Sequence, residues 1–143
     1  MELDYKKFRE EASKLGIKMV ILFGSHASGK AREDSDYDVA VLTSEEKNIG
    51  ESMDNYSAVL SFLSRALNVS DGLIDLTNLN KANPLLAYEV LFQGKMLYGE
   101  RNGFDELRAR SYRYFVDAKP LLDFEAKMSQ RKYIIINQAL QAQ

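Results

Sequence analysis

Asp36 and Asp38 stand two residues apart in the segment Ser35-Asp36-Tyr37-Asp38-Val39-Ala40-Val41-Leu42. A strand repeats every two residues, so this spacing puts both carboxylates on one face. Neighbouring carboxylates repel, and such a pair becomes tolerable where a cation or a shared proton joins them. A divalent metal meets that need. Carboxylate oxygens select hard ions such as magnesium or manganese, and magnesium usually takes one or two carboxylates, with water and phosphate oxygens completing its shell. Ahead of the pair, Gly24-Ser25 follows a short apolar run from Met19 to Phe23. Glycine lets backbone amides approach a ligand closely, and Ser25 adds a hydroxyl where a helix can start, a combination that suits a phosphate. Taken singly, Gly-Ser also reads as a turn and Asp-Tyr-Asp as a solvated strand start.

The flanking segments are those that would position these residues. Met19 to Phe23 is apolar enough for a strand buried on both faces, and Val39, Val41 and Leu42 predict a second, short and central strand that ends where Thr43 to Asn48 turns polar. Residues 4–15 predict an amphipathic helix with Tyr5, Phe8, Ala12 and Leu15 on one stripe and Gly16 as its stop, covering one face of a sheet. Ser52 predicts the cap of a helix reaching Leu67, striped by Met53, Tyr56, Leu60, Leu63 and Leu67. A third strand is expected at Leu73 to Thr77, where Asp75 is the one charged residue, read either as a capped strand end or as part of a site. Asn83-Pro84 opens a helix that stops at Gly94, and Lys95 to Tyr98 can add an edge strand. From about Phe104 a long helix carries Leu107, Ser111, Tyr114, Phe115, Ala118, Leu121 and Leu122 on a stripe, with Pro120 expected to kink or interrupt it. The tail from Ile134 to Gln143 is expected to order only on contact.

A chain of 143 residues with 45% hydrophobic and 28% charged residues fits one ordinary globular domain without a repeat or linker, so no internal boundary is drawn. Net charge is −2 with no long Lys/Arg cluster, which argues against nucleic acid as the main partner. The absence of cysteine excludes disulfides and thiolate metal sites. The start Met-Glu-Leu-Asp-Tyr-Lys lacks the basic and apolar regions of a signal peptide, and no run is as long as a membrane span, so a cytoplasmic protein is expected.

Gly24-Ser25, ten intervening residues and then Asp36-Tyr37-Asp38, set between two strands, resembles the signature of the polymerase-beta-type nucleotidyltransferase superfamily. From about Lys18 to Tyr98 the chain looks most like the minimal nucleotidyltransferases (MNT), small antitoxins that act beside HEPN-domain toxins. The resemblance implies an α+β fold: a mixed β-sheet flanked by α-helices in a single domain over 1–143, with a core at about 18–98 and a C-terminal helical extension at about 101–130. It implies Asp36, Asp38 and Asp75 as catalytic and metal-binding residues, two magnesium ions (or manganese), and ATP as co-substrate. Asp75 would also accept the proton of the attacking hydroxyl. Gly24 and Ser25 would hold the triphosphate. Members often carry arginines just after Gly-Ser, whereas this chain has His26 and Ser28; Lys30 and Arg32 could supply that positive charge or be simply solvated, and His26 could face the phosphates or be a solvated loop residue. The implied activity is transfer of AMP to a tyrosine of a partner HEPN toxin, which neutralises it within a hetero-oligomer. The alternatives are a small-molecule, aminoglycoside-like nucleotidyltransferase completed by dimerisation, and a non-catalytic antitoxin that acts by binding. Size favours the first, because antibiotic-modifying members usually bring a second helical domain.

Overall fold

The computed structural model describes residues 4–142; Met1 to Leu3, which open the segment read above as lacking a signal, and Gln143 lie outside it. Four strands form one mixed sheet in the order β3-β2-β1-β4: β1 (Ile17–Phe23), β2 (Tyr37–Thr43), β3 (Ile74–Asn78) and β4 (Lys95–Tyr98). β1 runs antiparallel to both β2 and β4, and β2 runs parallel to β3. The two central strands are the apolar runs on either side of the Gly-Ser loop. β1 starts two residues earlier than the apolar run, because Ile17 is buried while Lys18 between Ile17 and Met19 is exposed.

Alternation along the strands builds two cores. One face carries Val20, Val39, Val41 and Ile74 against Ala12 of helix α1 (Tyr5–Lys14) and Val59, Phe62 and Leu63 of helix α3 (Met53–Leu67). The other carries Met19, Ile21 and Ala40 against Val90 and Leu91 of helix α4 (Pro84–Gln93) and Phe104 of helix α5 (Arg101–Gln141). A four-residue helix, α2 (Ser25–Ser28), follows β1 directly. Leu91 is 1% exposed, so Leu91→Ala is expected to cost about 2–5 kcal/mol, read as a lower urea midpoint at unchanged m-value.

The caps expected at Ser52 and Asn83 form, and Asp4 adds a third. The Asp4, Ser52 and Asn83 side chains accept the backbone N–H of Lys7, Asn55 and Leu86 at 3.3, 3.0 and 2.9 Å, opening α1, α3 and α4. Pro84 occupies the first turn of α4. The predicted stripe of α3 packs inward from Tyr56 through Leu60, Leu63 and Leu67, with Val59 and Phe62 buried beside it, while Met53 at its start is 76% exposed.

Three further expectations are corrected. Asp36 does not lie on a strand; it immediately precedes β2. Pro120 neither breaks nor ends α5, which runs for 41 residues without interruption. The proline removes one backbone donor, but Val116, whose carbonyl loses that donor, is exposed, so water can serve it. The helical extension also passes residue 130 and takes in the tail from Ile134, reaching Gln141. Among the described residues no helix is long and apolar enough to cross a membrane.

α5 is anchored through its first part. Phe104 and Ser111 are buried, Tyr88 stacks on Phe115 at 4.1 Å between centroids, and the Arg108 guanidinium lies 4.4 Å from the centre of Phe92. Beyond Ala118 its apolar residues find little cover: Leu121, Phe124, Tyr133 and Ile135 are each about 60% exposed or more.

Candidate active site

The acids gather where β1 ends and β2 and β3 begin. Asp38 is the partner of Phe23 on β1 and of Asp75 on β3. Residues abreast on neighbouring strands point to one face, and strands lie about 4.8 Å apart, so Asp38 and Asp75 stand side by side. Parity places them on the face that also carries Phe23 and Ala40, the face covered by α4 and α5. Asp75 is exposed and Asp38 half-buried. Asp36, exposed, sits two residues ahead of Asp38.

The Asp38 carboxyl is raised above its ordinary value of 3.8, first by partial burial, then by the negative charges of Asp75 and Asp36, with His26 acting in the opposite sense. Asp38 is therefore close enough to Asp75 and to Asp36 to feel both. Among the described residues no three acidic or histidine side chains are gathered tightly enough to grip one ion unaided. Magnesium needs no such cage, since one or two carboxylates suffice when substrate phosphates and water complete its shell. An all-oxygen donor set under mutual repulsion fits a hard divalent cation.

Gly24 forms the floor. Its backbone takes φ 71° and ψ −150°, a region open essentially to glycine alone, and a Cβ there would collide with the Asp38 carboxylate, whose carbon lies 2.9 Å from that position. Backbone and acid are thus in direct contact. The Gly24 carbonyl accepts from the Ala27 and Ser28 amides, starting α2 with Ser25 in its first turn. The first amides of a helix have no partner within it, so this turn offers N–H groups beside the acids.

The structure does not join every expected residue to this group. Lys30 and Arg32 are exposed on the segment between α2 and β2, and neither enters an ion pair among the described residues. The Arg32 amide instead accepts a local role, donating to Ser35 Oγ at 2.8 Å. His26 is drawn in more closely than its sequence suggests: its ring stacks on Tyr37, 3.7 Å between centroids and 9° from parallel, and its Nε2 lies 3.0 Å from the Ser35 carbonyl oxygen. No local spacing signals that contact, which joins residues on either side of the loop.

Residues 6–102 match the family model described as "Polymerase beta, Nucleotidyltransferase". Two relatives are named protein adenylyltransferase MntA: that of Aphanizomenon flos-aquae is 36% identical over 98 residues, covering 66% of this chain and 65% of the relative, and that of Shewanella oneidensis is 33% identical over 104 residues, covering 73% and 68%. The chain thus spans about two thirds of these relatives' length. Among solved structures, a toxin-antitoxin with AMP-PNP superposes with a TM-score of 0.62 at 22% identity, covering 87% of this chain and 99% of that one. A tri-AMPylated Shewanella oneidensis HEPN toxin in complex with MNT antitoxin gives 0.53 at 21%, covering 85% and 98%. At these identities the likeness shows a shared fold.

Proposed function

Because the chain belongs to the polymerase beta nucleotidyltransferase family, we propose that it transfers AMP from ATP to a tyrosine of a HEPN-domain toxin and so neutralises it. The observation that carries this reading is the register that sets Asp38 abreast of Asp75, over a Gly24 turn that only glycine can make. The relatives named protein adenylyltransferase and the fold shared with toxin-antitoxin complexes support the choice of acceptor.

In the proposed reaction the tyrosine oxygen forms a bond to the α-phosphorus of ATP, the bond to the β-phosphate oxygen breaks, and pyrophosphate leaves. Asp36 and Asp38, with Asp75, would hold two divalent cations, magnesium or manganese, which when bound neutralise phosphate charge and favour ionisation of the attacking hydroxyl. Asp75, exposed like Asp36, would accept the phenolic proton. The Gly24 and Ser25 amides and the Ser25 hydroxyl orient the β- and γ-phosphates, and Lys30 and Arg32 are free to lean toward them. Most of this chain's contribution is positioning. The half of α5 beyond Ala118, with Leu121, Phe124 and Ile135 exposed, offers the toxin an apolar surface. We place the protein in the cytoplasm, where ATP is supplied.

Intact-mass spectrometry of a HEPN-domain toxin co-expressed with this chain tests the reading. The expected result is a gain of AMP mass that requires ATP, magnesium and Asp36. A toxin neutralised without mass change would favour binding alone, and transfer confined to aminoglycosides would replace the acceptor while leaving the nucleotidyltransferase.

A further inference from the structure

We propose that His26 is a positioning residue for Asp36, gripping both chain neighbours of that carboxylate and so holding it where it can share an ion with Asp38. The inference rests on the nucleotidyl-transfer reading above. Asp36 is the least supported of the three acids. It precedes β2, and sheet pairing reaches only to Tyr37, which pairs with Ile74, and to Asp38, which pairs with Phe23. The turn before it is closed on itself, with Ser35 N–H donating to the Arg32 carbonyl at 3.1 Å and Arg32 N–H to Ser35 Oγ at 2.8 Å. Such a turn fixes its own shape but not its place on the protein.

His26 supplies the place. Its Nε2 meets the Ser35 carbonyl at 3.0 Å, and since a carbonyl only accepts, this nitrogen carries the proton. Its ring lies flat on Tyr37. The residue before Asp36 is therefore held by a hydrogen bond and the residue after it by a stack, from one side chain. The grip is rooted, because His26 belongs to α2, whose Ala27 is buried and whose first turn is tied to the Gly24 carbonyl. The turn that would meet the phosphates and the acid that would meet the metal are thereby locked to each other. Outer residues that orient a metal-binding side chain typically change metal affinity or activity about 10–100-fold when lost.

Three variants separate the contacts: His26→Phe keeps a flat ring without the donor, His26→Gln keeps a donor without the ring, and His26→Ala removes both. Hydrogen exchange of the metal-free proteins over residues 31–37 reads the grip itself, and is expected to rise in His26→Ala and less in the other two. Calorimetric titration of magnesium in the presence of a non-hydrolysable ATP analogue reads its consequence, with affinity expected to fall about tenfold or more in His26→Ala. In an Asp36→Asn background the same change should add no further loss. Unchanged exchange, or a fall in affinity that persists undiminished without the Asp36 carboxylate, would overturn the assignment. If wild type takes up no magnesium, the proposed function fails while the exchange data still decide the grip; should His26→Ala unfold, His26→Phe and His26→Gln carry both measurements.

Discussion

Replacing Asp36 and Asp38 together with asparagine is expected to abolish nucleotide transfer, by about a thousandfold or more, while leaving the metal-free protein at least as stable as wild type. Asparagine keeps the shape and removes the charge, so several kcal/mol of cation-mediated stabilisation of the transition state go with it, and each 1.4 kcal/mol is about a factor of ten. Stability moves the other way because the carboxyl of Asp38 is raised by burial and by Asp75 and Asp36. A carboxyl raised in the folded state binds its proton more tightly there than in the unfolded chain. Its contribution therefore declines as pH rises from its ordinary 3.8 through the raised folded value, and is most unfavourable at neutral pH. The double variant escapes that decline, so its melting temperature should gain on wild type between acid and neutral pH, and magnesium with nucleotide should narrow the gap. A melting point many degrees lower at pH 7 would show that the acids are structural.

Gly24→Ala is expected to cost about 1–3 kcal/mol in stability and about a hundredfold in transfer. Two effects combine: the backbone at φ 71°, ψ −150° excludes a side chain, and the new methyl group would displace the Asp38 carboxylate. Gly29→Ala separates them. Gly29 also has a positive φ, 77°, but a Cβ there meets nothing within 4 Å. It should lose a little stability and keep its activity, and equal losses of transfer in the two variants would refute the close contact between Gly24 and Asp38.

The features legible from the sequence are those set by short-range rules. Ser52 and Asn83 announce their helices because a cap needs only a side-chain oxygen within three residues of the amide it accepts from. The Gly-Ser turn and Asp38 sit between two apolar runs whose period of two already implies a face. That Asp38 stands abreast of Asp75 depends on strand register, which no local pattern states; the lone charge of Asp75 in its strand and the family resemblance supply the link. The misreadings have physical causes. Pro120 is a helix breaker where a lost hydrogen bond is buried, and at an exposed position on a helix already anchored by Phe104, Ser111 and Phe115 that rule loses its force. On α3 the predicted stripe joins the core from Tyr56 onward, and Val59 and Phe62 join it because the helix is apolar over a wide arc within which packing chooses; Met53, in the first turn, stays exposed. His26 was invisible as a clamp because its two partners, Ser35 and Tyr37, lie across a loop that sequence periodicity does not describe.

We propose that Asp36, Asp38 and Asp75 form one cation-dependent site. Electron paramagnetic resonance of manganese titrated into the protein with a non-hydrolysable ATP analogue tests it without any acceptor. Two ions per chain are expected in wild type, fewer in Asp75→Asn, and uptake no greater than that of the free nucleotide in the Asp36→Asn, Asp38→Asn double variant; equal uptake by all three proteins would overturn the shared site.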